Sequence, residues 1–208
     1  MIRNKGMLRT GIIVFVMVVL VLGYYAYVSD KRAIERQNAK VTETDRLLLL
    51  DIDNEYPKSP RDTVKLYVKM LQQIYNKDLS DKDLSGMVDQ MRLLYAEELL
   101  NNAGNTKEEQ LSGIKTELTA EDDKKYKLTS YVIDEESQTI YGKAEGKETA
   151  NLYATYTLLT GNTTSKQVYL YVLVKEDDKW KIIGWRRDSS KEASLSGATT
   201  EEQKKQKD

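Results

Sequence analysis

The sequence predicts an α+β protein: one N-terminal transmembrane helix, then about three to four helices packed on a curved antiparallel sheet of about four to five strands. Three observations predict it. Residues 10–29 carry no charge. Between residues 59 and 118, apolar side chains recur at three- and four-residue steps behind legible caps, the period of one helix face. From Tyr126 onward the pattern changes to alternation broken by short turns, the period of strands.

The uncharged run is aliphatic first and aromatic at its end. At about 1.5 Å of rise per residue, some twenty helical residues cover about 30 Å, the thickness of a bilayer's hydrocarbon core. Arg3, Lys5 and Arg9 precede it with no acid among them, and Tyr24, Tyr25 and Tyr27 sit where an aromatic belt meets the far interface. The positive-inside rule then makes residues 1–9 a cytoplasmic tip, 10–29 a single-pass span of the cell membrane, and the rest extracytoplasmic. A cleaved signal peptide is the alternative, but it is shorter and ends in small residues; Tyr24-Tyr25-Ala26-Tyr27-Val28 is bulky, and only Val21-Leu22-Gly23 resembles a cleavage site. With no cysteine in the chain, a lipid-anchored cysteine, disulfides and thiolate metal sites are excluded.

Lys and Arg total 32 against 33 Asp and Glu, and beyond residue 9 the count is 29 against 33. A mildly acidic outer portion lacks the clustered basic face that a nucleic-acid partner requires. Residues 57–188 are long enough for one domain with its own core.

Residues 30–56 read as a polar stalk carrying a short helix from about residue 43, where Thr42-Glu43-Thr44-Asp45 forms an N-cap pattern. Leu47, Leu48, Leu49 and Leu50 follow it. Four consecutive leucines wrap a helix on all sides, so they either pack on their own domain or form an interaction surface for a protein partner. Pro57 and Pro60 end the segment. Ser59-Pro60-Arg61-Asp62 opens the next helix, whose face is Val64, Tyr67, Val68, Leu71, Ile74 and Tyr75. Ser80-Asp81-Lys82-Asp83 opens another, whose period continues through Met87, Met91 and Tyr95 to about residue 100. Thr106-Lys107-Glu108-Glu109 is a capping box for a third, bearing Leu111, Ile114 and Leu118.

Strands are expected at 126–134, 139–147, 151–160, 166–176 and 180–187, joined by short turns that make neighbours antiparallel. On the fourth, Val168, Leu170, Val172 and Val174 alternate with Tyr169, Tyr171 and Leu173, so both faces are apolar. Such a strand is central, covered by helices on one side and facing a concavity on the other. Trp180 and Trp185, five residues apart, face opposite sides of an unbulged strand. The tail, 189–208, lacks aromatics and reads as disordered.

Helices followed by a bent meander ending in Glu176-Asp177-Asp178-Lys179-Trp180-Lys181-Ile182-Ile183-Gly184-Trp185 resemble the nuclear-transport-factor-2-like, or cystatin-like, superfamily. Tyr56-Pro57-Lys58-Ser59-Pro60-Arg61 and Leu94-Tyr95-Ala96-Glu97-Glu98-Leu99-Leu100 are similar to a family of single-pass bacterial membrane proteins of unknown function. The resemblance implies a cone of helices wrapped on a bent sheet and supplies no catalytic residue. Superfamily enzymes similar to ketosteroid isomerase use a carboxylate and a tyrosine in an apolar cavity. Here seven tyrosines lie on expected strands, but Asp134, Glu145 and Glu176 fall at strand ends and Asp62 and Asp83 read as caps. There is no histidine. No catalytic residue, metal ligand or cofactor is expected. The expected role is binding: an envelope or secretion-type scaffold that meets a protein partner or a second copy through Leu47 to Leu50, with a sensor or carrier of a small apolar ligand as the alternative. Tyr131, Tyr153, Tyr169 and Tyr171 are its candidate cavity lining.

Overall fold

A computed structural model describes residues 41–119 and 125–194. The expected tip, span and first part of the stalk, and residues 195–208 of the tail, lie outside the described residues. No helix among those described is long and apolar enough to cross a membrane.

Helix α1, Glu43–Leu48, starts where its N-cap pattern begins. It belongs to the domain and not to a stalk, which corrects the boundary expected at residue 57. Leu47 and Ile52 enter the main hydrophobic core, and the Gln90 amide donates to the carbonyls of Leu48 and Leu50 at 3.1 Å each. Gly86 keeps the approach close, since a Cβ there would stand 3.0 Å from Leu48 Cδ2. Tyr56 completes the docking by donating its hydroxyl to Trp180 O at 2.9 Å.

Helix α2, Pro60–Asn76, has Ser59 as N-cap, its hydroxyl accepting from the Asp62 N–H, and proline in its first turn. Its far end is tied to the sheet by Asn76, which both donates to Leu128 O (2.8 Å) and accepts from Leu128 N (2.9 Å). That side chain acts as a strand partner where β1 bulges between Leu128 and Ser130.

Helix α3, Asp81–Arg92, is capped by Ser80. The sequence period continues to residue 100, but the helix stops eight residues earlier. Residues 93–96 (Leu-Leu-Tyr-Ala) are four apolar side chains in a row, more than one face of a helix can bury. They leave the helix to pair with the sheet: Ile182 N–H donates to Leu94 O and Ala96 N–H to Ile182 O, both at 2.8 Å. The free edge of the last strand is thereby covered. A short helix α4, Glu97–Leu100, follows, then α5, Lys107–Leu118, with the expected Thr106/Glu109 capping box formed.

The strands are β1 (Tyr126–Ile133), β2 (Ile140–Ala144), β3 (Lys147–Thr160), β4 (Thr163–Glu176) and β5 (Lys179–Arg187). The order is β1-β3-β4-β5, all antiparallel, with β2 also paired to β3. Sequence alternation placed the second turn after Lys147; it falls at Glu145-Gly146, both at positive φ (50° and 82°). A two-residue primed turn matches strand twist, but Glu-Gly lacks the Asn or Asp that usually announces it. Asp177-Asp178, also at positive φ, makes the corresponding β4–β5 turn.

Residue pairing explains the two tryptophans. Val172 pairs with Gly184 and Leu173 with Ile182, so Ile183 is an extra residue in β5. This bulge returns Trp185 to the face that carries Trp180, correcting the expectation of opposite sides. That face packs on the helices through Leu152 and Ala154 of β3, Tyr171 and Leu173 of β4, and Ile182 of β5. Residues 189–194 are helical rather than disordered. Glu192 accepts from Val168 N–H at 2.9 Å and from Arg187 Nε and Nη2 at 2.8 and 2.9 Å, which anchors the segment.

Candidate functional site

Helices and concavity share one side of the sheet, contrary to the expected division between its two faces. Between the helix-facing side of β3, β4 and β5 and the helices α2 and α5 lies a cavity of about 480 Å³, within the size range of small-ligand sites. α2 presents Tyr67, Leu71 and Tyr75, four residues apart and so on one helical line. α5 presents Gln110, Ile114 and Glu117, steps of four and three along one helical face, and β1 closes the rim with Tyr126 and Leu128. The sheet supplies Tyr156, Leu158, Gln167, Tyr169, Tyr171, Trp185 and Arg187.

The wall is an aromatic cluster. Tyr67 lies 5.4 Å from Trp185 and edge-on to Tyr171 at 5.8 Å, centroid to centroid. Trp185 lines the cavity and stays 39% exposed, a large aromatic side chain that the fold leaves partly uncovered. The hydroxyls form short chains: Gln110 Nε2 donates to Tyr95 Oη at 2.6 Å, Tyr95 to Tyr67 at 3.4 Å, and Tyr156 and Tyr171 bond each other. Burial pushes the phenols of Tyr67, Tyr171 and Tyr156 well above the ordinary tyrosine value, so they stay protonated donors at any physiological pH.

Among the described residues, charge at the cavity is confined to the rim and already paired. The exposed Glu117 carboxylate accepts from the hydroxyls of Tyr75 and Tyr126, whose rings stack at 4.8 Å. Arg187 is held bidentately by Glu192. No group of three or more potential metal-binding side chains occurs among the described residues. Among the described residues Glu117 is the one lining carboxylate, and it comes from a helix, where a search along the strands could not find it.

Of the four tyrosines expected to line a cavity, Tyr169 and Tyr171 do. Tyr131 does not: it packs on the core under the field of Lys69 and Glu43. Tyr153 is on the opposite face, its hydroxyl donating to Asp188 at 3.3 Å and its ring beneath the Lys191 ammonium. The strand register separates them, because Tyr153 pairs with Leu170 whereas Tyr171 pairs with Leu152. The leucine surface also divides. Leu47 is core, Leu48 and Leu50 are half-buried against it, and Leu49 alone is exposed. Sequence reading missed Tyr67, Tyr75, Gln110 and Glu117, although the four-residue spacing of Tyr67, Leu71 and Tyr75 was there to find.

The fold and site define an α+β domain with helices over one face of a five-stranded antiparallel sheet and an aromatic-lined cavity between them. The chain belongs to the family described as "Domain of unknown function (DUF6715)", whose model matches residues 1–185. No curated protein and no solved structure matches it.

Proposed function

We propose that this is a single-pass membrane protein whose extracytoplasmic domain, of the nuclear-transport-factor-2-like kind, binds a small molecule as a sensor or carrier. The cavity with its partly uncovered Trp185 carries this reading. Helices wrapped on one face of a meander and a final Asp177-Asp178 hairpin support the superfamily assignment. The uncharged run behind three cations supports the anchor, and the family match takes in that run together with the domain. The domain works by binding and not by catalysis: the carboxylate at the cavity is exposed and engaged by two phenols, unlike a desolvated general base. It needs no cofactor, and its partners include no nucleic acid.

A second reading, an envelope scaffold that self-associates or meets another protein, is favoured by Val132 and Ile140. They are 70% and 63% exposed on β1 and β2 and face away from the helices. It does not use Leu47 to Leu50 as a surface, since most of that run is packed on the domain.

Native mass spectrometry of the full chain, released gently from membranes, distinguishes the two. A monomer carrying a reproducible small adduct is the result expected; an adduct-free dimer or larger assembly favours the scaffold instead.

A further inference from the structure

The cavity's hydrogen-bonding groups do not balance. Tyr156 and Tyr171 are both buried and share one bond, so one phenol proton lies between them and the other finds no acceptor among the described residues. The relay from Gln110 through Tyr95 ends on Tyr67, whose own O–H proton likewise has no protein acceptor among those residues. At the head of that relay the carbonyl oxygen of Gln110 is buried and unpartnered. Reversing the relay exchanges its two ends and leaves the same sum. The wall thus holds at least two unmatched donors and one unmatched acceptor, all on residues that line the cavity, and unsatisfied buried polar groups are costly.

A hydroxyl group is the complement, with two acceptor lone pairs and one donor proton. An ionic ligand is disfavoured because the lining charges among the described residues, Arg187 and Glu117, are engaged by Glu192 and by two phenols. The partly exposed Trp185 offers a flat apolar platform beside the polar groups. We infer that the ligand is an uncharged alcohol carried on a flat apolar ring, its hydroxyl bonded to the phenols of Tyr67 and the Tyr156–Tyr171 pair and to the Gln110 amide, its ring against Trp185. This rests on the binding reading above and sharpens it from an unspecified small molecule to one with a hydroxyl.

Two probes of equal shape test it: para-fluorobenzyl alcohol and para-fluoroethylbenzene, titrated by fluorine NMR into the full chain in detergent micelles, with protein-free micelles as the blank. The alcohol binds about tenfold tighter or more than the hydrocarbon, the difference one well-made hydrogen bond supplies. In Tyr67→Phe and in the double variant Tyr156→Phe/Tyr171→Phe, which keep the rings, that preference shrinks while hydrocarbon binding is retained. Equal affinity of the two probes for the unmodified chain overturns the hydroxyl inference but leaves the cavity a binding site. Binding of neither probe overturns both, and means that water satisfies these groups. The comparison on the unmodified chain stands even if a variant fails to fold.

Discussion

Raising the pH above about 10 unfolds the domain in a cooperative step, with phenolate appearing together with loss of secondary structure. The cause is the buried tyrosine cluster. In the unfolded chain a tyrosine ionises near pH 10, whereas burial holds Tyr67, Tyr156 and Tyr171 protonated well beyond that. Below pH 10 both states carry the proton, so the full stabilisation is present. Above it the unfolded state binds fewer protons, and stability falls by about 1.4 kcal/mol per pH unit for each such tyrosine. Three of them cost about 4 kcal/mol by pH 11 and about twice that a unit later, comparable with the 5–15 kcal/mol that holds a typical domain together. Phenolate absorbance and far-ultraviolet circular dichroism, followed together, check this. Exposed tyrosines titrate first without change in the dichroism, and the buried set then ionises abruptly with unfolding. A smooth titration of every tyrosine near pH 10 with the dichroism intact would mean that water already reaches the cluster.

Ile182→Ala destabilises the domain by about 3 to 4 kcal/mol, near the middle of the range for emptying a fully packed site. Ile182 has no exposed surface, and its backbone holds residues 94–96 against the edge of β5 through two 2.8 Å hydrogen bonds. The lost side chain therefore leaves a void at the junction of sheet, α3 and α4, where relaxation would break those bonds. Val132→Ala, on the exposed outer face, changes stability by about 0.5 kcal/mol or less. Urea denaturation of both variants beside the unmodified chain measures the contrast. Similar small losses at the two positions would mean that residues 93–96 do not dock on β5 as described.

Most elements were legible because their signals are local. Ser59 with Pro60, Ser80 with Asp83, and Thr106 with Glu109 announce three helix starts by cap chemistry alone, and each cap is formed. Alternation from Tyr126 marked the sheet. The errors fall where a distant partner decides. Residues 93–96 satisfy a helical period, yet the backbone of β5 takes them from the helix. The bulge at Ile183 that turns Trp185 toward Tyr67 has one local sign, the neighbouring Gly184, since an isolated strand glycine often marks a bulge. Four leucines could not reveal that Gly86 leaves a groove for Leu48.

The candidate site was legible as a composition, many tyrosines and few strand acids, but not as a place. Alternation along β4 set Tyr169 and Tyr171 on one face, and only the pairing of β3 with β4 put Tyr153 on the other. Apart from the tyrosines, half the polar lining comes from α5, where Gln110 and Glu117 look like ordinary solvent-facing positions of an amphipathic helix. Their role depends on how that helix lies over the sheet, which no periodicity encodes.

The proposed binding site is the space between α2, α5 and the sheet. A high-resolution crystal structure of the protein purified without denaturation tests it most directly. The account predicts continuous density from a bound molecule, lying against Trp185 and within hydrogen-bond reach of Tyr67. A collapsed cavity, with Trp185 packed into it and nothing but isolated waters beside the phenols, would contradict it.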